Sequence, residues 1–243
     1  MCNDHPKDRS RRAVLGAGAL AASTALVGSF AGPAAAQSSG TAAAAAPNAI
    51  SPSEALQRLV DGNKRYVNNT SRNVDYSADR VSRAAAQYPI AGFVSCADSR
   101  IAPEIAFDQA PGEVFVVRVA GNFVDTNGLA SIEFGVAVLG IPLLVVLGHS
   151  GCGAIAATID VIENGTELPG HLPGLIEALK PGVERALSEE PEDALKAATA
   201  ENVRYNVEQL KSATPIISEA VAAGKVEVVG GVYDIATGKV EML

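Results

Sequence analysis

Four short runs of aliphatic and β-branched residues, at 90–95, 114–119, 143–147 and 226–232, are apolar almost throughout rather than at every second position. A strand with one face in water alternates, whereas a strand covered on both faces does not. Each run is bounded by Gly, Pro or polar residues, as a buried strand should be. Helical spacing of apolar residues fills the intervals, at 128–139, 153–163, 172–187, 193–210 and 214–223. Strands that alternate with helices call for parallel pairing through helical crossovers. The expected fold is therefore α/β: an open, mostly parallel four- to five-stranded sheet flanked by helices. An earlier helix opens at Ser51-Pro52-Ser53-Glu54, where a serine can cap it, and Ala55, Leu56, Leu59, Val60 and Tyr66 repeat at helical spacing. The pair Gly230-Gly231 precedes no helix-opening glycine pattern, so it reads as a strand bend rather than a phosphate cradle.

The region before this pattern has a different composition. Arg11 and Arg12 are followed by an Ala/Leu/Gly/Val stretch and then by Ala34-Ala35-Ala36. A basic start, an apolar middle and a small-residue end form a secretory signal peptide, here expected over 1–36, and the paired arginines point to the twin-arginine route. The apolar stretch is mostly Ala and Gly and stops at Gly32-Pro33, which favours a removed signal over a membrane anchor. Export to the periplasm is the expected destination. Residues 37–50 are rich in Ser, Ala, Gly and Thr and read as a flexible leader, so one domain is expected over 51–243. Removal of 1–36 takes away Lys7, Arg9, Arg11 and Arg12 against Asp4 and Asp8, moving the formal net charge from −8 to −10. A chain this acidic lacks the basic face that nucleic acid or an anionic membrane requires.

Cysteine use narrows the chemistry. Only Cys96 and Cys152 remain after the signal is lost. An exported protein usually pairs its cysteines in disulfides, so these two form either one bridge or a binding site. Their settings favour the site. The run at 90–95 ends in Cys96-Ala97-Asp98-Ser99-Arg100, and the run at 143–147 ends in Gly148-His149-Ser150-Gly151-Cys152-Gly153. In an open α/β sheet, ligands gather beyond the carboxyl ends of the strands. Adjacent strands would bring Cys96, His149 and Cys152 to one edge, with Gly151 and Gly153 freeing the turn between two of them. Two thiolates and an imidazole prefer zinc, and three protein ligands leave the fourth position of a catalytic site open. Asp98 can pair with Arg100, remain ionised and accept a hydrogen bond beside the metal; alternatively Asp98 swings onto the metal as a conditional fourth ligand.

C-x-D-S-R followed by H-x-x-C, together with similarity from about Ser53 to the C-terminus, resembles the β-class carbonic anhydrase family. The resemblance implies one zinc ion per subunit on Cys96, His149 and Cys152, with Asp98 and Arg100 as a catalytic dyad. It implies reversible hydration of carbon dioxide to bicarbonate and a proton, by zinc-bound hydroxide that the dyad orients. It also implies a substrate pocket containing Gln87, Phe115, Phe134 and Gly153, part of it donated by a neighbouring subunit, and hence a homodimer or homotetramer. Phe134 stands where tyrosine is common in the family. A branch of the family binds regulatory bicarbonate through Trp, Arg and Tyr; Arg118 and Tyr233 match, but Phe93 replaces the tryptophan, so that site is not expected. Hydrolysis of carbon disulfide or carbonyl sulfide on the same scaffold is an alternative activity. A non-catalytic zinc or redox protein is the alternative from another class, and its redox form predicts a Cys96–Cys152 disulfide.

Overall fold

The computed structural model describes residues 46–243; the expected signal peptide and the leader up to residue 45 lie outside the described residues. Among the described residues five strands form one sheet: β1 (Ala91–Ser95), β2 (Val114–Arg118), β3 (Leu143–His149), β4 (Glu227–Tyr233) and β5 (Val240–Met242), in the order β2-β1-β3-β4-β5. The first four pair in parallel, and β5 returns antiparallel to β4. Eight helices accompany them among the described residues: α1 (Pro52–Val67), α2 (Arg80–Ala85), α3 (Pro103–Ala106), α4 (Thr126–Ala137), α5 (Gly153–Asn164), α6 (Leu172–Leu187), α7 (Ala194–Ser212) and α8 (Ile216–Ala222). The expected mostly parallel α/β sheet is the one observed.

Polar residues set the helix starts. Ser51 accepts the Glu54 amide at 3.1 Å, Asp125 accepts that of Gly128 at 2.6 Å, and Asp193 accepts that of Lys196 at 2.9 Å. Each satisfies an amide that has no partner within its helix. The strand interior follows the period of two. Leu143, Val145 and Leu147 join Ala55, Leu59, Phe93 and Phe107 in the core beneath α1 and α3. Leu144 and Val146 point the other way, to Ile132, Val203, Leu210 and Ile217. Both faces are thus dry at β3, which is why its sequence does not alternate.

Four features differ from the sequence expectation. The leader expected to run to residue 50 gives way to structure before that: Asn48 is buried, and its Nδ2 donates to the carbonyls of Pro89 and Leu139 at 3.1 and 2.7 Å. The short elements α2, α3 and β5 were not anticipated, because pieces of three to six residues carry too little periodicity to detect. β2, expected to be covered on both faces, is half-buried and ends in the exposed Arg118, since it is an outer strand of the sheet. Gly230-Gly231 does not bend its strand: β4 pairs with β3 without interruption from Glu227 to Tyr233. A Cβ on Gly230 would lie 2.6 Å from Val203 Cγ1, and one on Gly148 would lie 2.7 Å from Val203 Cγ2. These glycines let α7 settle directly on the sheet.

A similar close approach locks α1. A Cβ on Gly62 would fall 1.8 Å from the Phe107 carbonyl oxygen, and a backbone atom cannot rotate aside. Gly62→Ala is expected to destabilise the domain by about 3 kcal/mol, at the upper end of ordinary overpacking. Gly174→Ala, in α6 with nothing within 4 Å, should be neutral or stabilising by up to about 1 kcal/mol. Urea denaturation of both variants checks the contrast.

Candidate metal centre

β1 and β3 are neighbours in parallel register, with Ser95 opposite Leu147. Their carboxyl ends therefore release Cys96 and His149 side by side, and the Ser150-Gly151 turn carries the chain on to Cys152. Gly151 has φ +65°, the left-handed region that glycine enters without strain. Cys152 then becomes the N-cap of α5, at the positive end of the helix dipole. Ligand atoms of Cys96, His149 and Cys152 all lie within 4.8 Å of one another, and all three residues are buried. The structure thus brings together the three residues expected from sequence as ligands, in a group that could hold a metal ion.

The geometry accepts a tetrahedral divalent ion. The two sulfurs are 4.0 Å apart and the cysteines are free, so the disulfide of the redox alternative is not formed. Zinc–sulfur bonds of about 2.3 Å at a tetrahedral angle place two sulfurs roughly 3.8 Å apart, close to this separation. His149 supplies the third donor in the correct tautomer. Its Nδ1 lies 3.1 Å from the Ser150 carbonyl oxygen, which only accepts, so Nδ1 carries the hydrogen and Nε2 keeps its lone pair. That Nε2 is buried without a hydrogen-bond partner in the protein. A buried polar atom left bare is costly unless something binds it. The two sulfurs are also within hydrogen-bonding reach of each other, which favours one thiolate in the pair: Cys96 is held below the usual thiol range, while Cys152 is pushed up by this contact and by burial.

Asp98 stands beside this cluster. Its Oδ2 is 3.8 Å from His149 Nε2. Arg100 grips the carboxylate at both oxygens, Nε to Oδ1 at 2.9 Å and Nη2 to Oδ2 at 2.6 Å, and the Arg100 amide adds a third bond at 2.9 Å. These bonds hold Asp98 well below the usual carboxylate range, so it is ionised. Asp98, expected from sequence as a conditional fourth ligand, lies beside the group of three whose ligand atoms are within 4.8 Å of one another, not within that group.

Sequence reasoning missed what holds the ligand loop in place. Arg118, at the end of β2, donates Nε to the Cys96 carbonyl at 2.9 Å and Nη2 to those of Asp98 and Ile101 at 2.6 and 2.9 Å. One guanidinium thus clamps the loop from Cys96 to Ile101 that carries Asp98 and Arg100. Its polar head is committed to these carbonyls, while Tyr233 bonds its hydroxyl to that of Tyr66 at 3.2 Å and Phe93 packs in the core 5.2 Å from Phe107. In sequence Arg118 stands out as a charged residue in an apolar run and as a match to the family's bicarbonate-binding arginine, and neither feature indicates the carbonyls it clamps.

The expected pocket residues do not all gather at the Cys96–His149–Cys152 cluster within one chain. Gly153 begins α5 next to Cys152, on the exposed side. Gln87 is exposed and precedes β1, so it belongs to the opposite edge of the sheet. Five residues of strand at about 3.3 Å each put roughly 16 Å between the two edges. Phe115 pairs in register with Gly92, near the amino end of β1, and is half-buried against α4 at Gly135. Phe134 is 48% exposed on α4.

Comparison with known proteins gives this arrangement its context. The sequence model of the carbonic anhydrase family matches residues 91–240. A carbonic anhydrase of Mycolicibacterium smegmatis is 38% identical over 201 residues, covering 81% of this chain and 95% of that protein. Carbonic anhydrase 2 of Mycobacterium tuberculosis is 38% identical over 198 residues, 79% of this chain and 93% of the other. Among solved structures, a Coccomyxa β-carbonic anhydrase in complex with acetazolamide superposes with a TM-score of 0.63 at 31% identity, covering 77% of this chain and 86% of that one. One of two tetrameric β-carbonic anhydrases from Sordaria macrospora does so at 0.61 and 27% identity, covering 79% and 94%. With relatives this similar over nearly their whole length and the same fold in structures of that class, the chain belongs to the β-class carbonic anhydrase family.

Proposed function

We propose that the chain hydrates carbon dioxide reversibly as a zinc enzyme, with Cys96, His149 and Cys152 as the metal ligands and Asp98 with Arg100 as a working dyad. The observation that carries this reading is the bare, buried Nε2 of His149, which faces two sulfurs at ligand spacing and a carboxylate at 3.8 Å. Zinc, when bound, supplies the Lewis acidity that makes water a nucleophile near neutral pH. Two thiolates cancel the charge of the ion, so help from the protein counts for more than in a site built from neutral imidazoles. Asp98 provides it as a hydrogen-bond acceptor that fixes the orientation of the attacking oxygen's lone pair. Arg100 keeps that carboxylate ionised and turned to one position. Bicarbonate and a proton then leave through the side where Gly151, Gly153 and Arg100 are exposed.

The pocket is completed by a second copy of the chain. Gln87 and Phe115 lie toward the edge of the sheet remote from their own metal ligands, so the copies that line a given site come from the neighbour. The half-buried outer strand β2, with Phe134 on the adjacent α4 and Val138 at that helix's C-cap exposed at 48% and 63%, forms the apolar surface on which the copies meet. The sequence of residues 1–36 supports export by the twin-arginine route to the periplasm, in which folding and metal loading in the cytosol would protect the thiolates.

Three outcomes are expected. Asp98→Asn keeps one zinc per chain while stopped-flow carbon dioxide hydration slows by about a hundredfold or more, whereas Cys152→Ser loses the metal itself; an Asp98→Asn enzyme of full activity defeats the dyad. Phe134→Glu combined with Val138→Glu yields a zinc-bearing monomer by sedimentation that has lost hydration activity. Arg11→Lys with Arg12→Lys leaves the protein in the cytoplasm with its N-terminal segment attached, as cell fractionation and intact mass will report.

A further inference from the structure

The sulfur of Cys96 is tied to the protein interior as well as to its own loop. The Gly121 amide donates to Cys96 Sγ at 3.3 Å, both groups being buried. Gly121 has φ +82°, and a Cβ there would meet Leu179 Cδ2 at 2.7 Å, so only glycine brings its amide to this place. Its carbonyl accepts from Asn202 Nδ2 at 2.9 Å. Asn202 is held in turn: its Oδ1 and its backbone carbonyl accept from Asn206 Nδ2 at 3.2 and 2.9 Å. Asn206 Oδ1 accepts the Val124 amide at 3.0 Å. Both asparagines are on α7 and at most 2% exposed.

Two features mark this chain of bonds as purposeful rather than incidental to packing. The amide orientations are fully determined, since every donor in the series has one acceptor type to choose: Val124 to Asn206, Asn206 to Asn202, Asn202 to Gly121, and Gly121 to the sulfur. The backbone also makes room for it. A Cβ on Gly182 would lie 2.8 Å from Asn202 Cα, so α6 approaches α7 at the residue that grips the loop. Burying two asparagines is unfavourable unless their hydrogen bonds are met, and here they are met by the 121–124 loop.

We propose that Asn202 and Asn206 are positioning residues for the metal centre, acting through the Gly121 amide on the Cys96 thiolate. This rests on the zinc reading above. An amide donor withdraws charge from a ligating sulfur, so that the metal keeps more of its acidity toward the fourth ligand, and outer partners of this kind typically change metal affinity or activity about 10- to 100-fold. The deficit left by two thiolates is thereby offset from the interior side, while Asp98 and Arg100 act from the solvent side.

Cobalt(II) in place of zinc gives a direct readout through its thiolate-to-metal charge-transfer absorption. Asn202→Ser, too short to reach the Gly121 carbonyl, should shift that band to lower energy and lower kcat about tenfold with KM unchanged. Asn206→Ser should move both in the same direction by less. Asn63→Ala serves as the control for general loosening: Asn63 is a buried asparagine that bonds the Ala106 and Gly238 carbonyls beneath the other face of the sheet, and its loss should leave the band in place. In wild-type protein loaded with cadmium-113, the Gly121 amide proton should show spin coupling to the metal, a test that does not depend on any variant folding. Absence of that coupling, or equal band shifts in Asn202→Ser and Asn63→Ala, overturns the proposal. A wild-type protein that shows no thiolate charge-transfer band with cobalt overturns the zinc reading instead.

Discussion

Parallel pairing of β1 with β3 is the constraint from which the rest follows. Each strand ends at the same edge of the sheet, and neighbouring parallel strands hold their ends about 4.8 Å apart, close enough for side chains leaving both ends to converge on one point. Cys96 leaves one end, His149 the other, and a short glycine turn returns Cys152 to the same point. Antiparallel pairing would have sent these residues to opposite edges. The crossover helices that parallel pairing requires also bury the sheet on both faces, so the ligands emerge from a rigid, dry core.

Rigidity at that edge comes from three directions. Arg118 clamps the carbonyls of the ligand loop from β2, Arg100 grips Asp98 from within the loop, and the asparagines of α7 hold the Gly121 turn against the sulfur of Cys96. All three use charge-assisted or buried hydrogen bonds, which are stronger where water is excluded. Their effect is to hold the Cys96 loop and the carboxylate of Asp98 in fixed positions, the kind of preorganisation that leaves little ordering to be done when a site binds its ligand. Close approaches at Gly148, Gly182 and Gly230 permit this, because α7 and α6 could not reach the sheet and each other over side chains.

Composition and periodicity were enough to read the four parallel strands and the helices α1 and α4 to α8, and residue chemistry was enough to single out Cys96, His149 and Cys152. Continuous apolar runs such as Leu143–Leu147 have one physical meaning when helices separate them, and Cys96, His149 and Cys152 carry donor chemistry that few other residues share. The short elements α2, α3 and β5 fell below the length at which a period can be seen. Gly230-Gly231 looked like a bend because a strand glycine weakens its own strand; the helix that needed the space lies elsewhere in the chain. Gln87 and Phe115 came from family likeness, and their distance from the metal in a single chain is visible only once the direction of β1 is known.

What the sequence alone determined is local or chemical in kind: which stretches are dry on both sides, where they end, and which side chains at those ends can bind a soft cation. Which strands are neighbours, which carbonyls Arg118 reaches, and that Asn202 and Asn206 stand behind Gly121 were decided by tertiary structure. Those facts join residues about 20 to 80 positions apart, as in the bonds from Arg118 to Cys96 and from Asn202 to Gly121. Arginine and asparagine are common residues whose meaning depends on the acceptor they face. An apolar period is written into the order of the residues, whereas the partner of a buried amide is chosen only when the chain has closed around it.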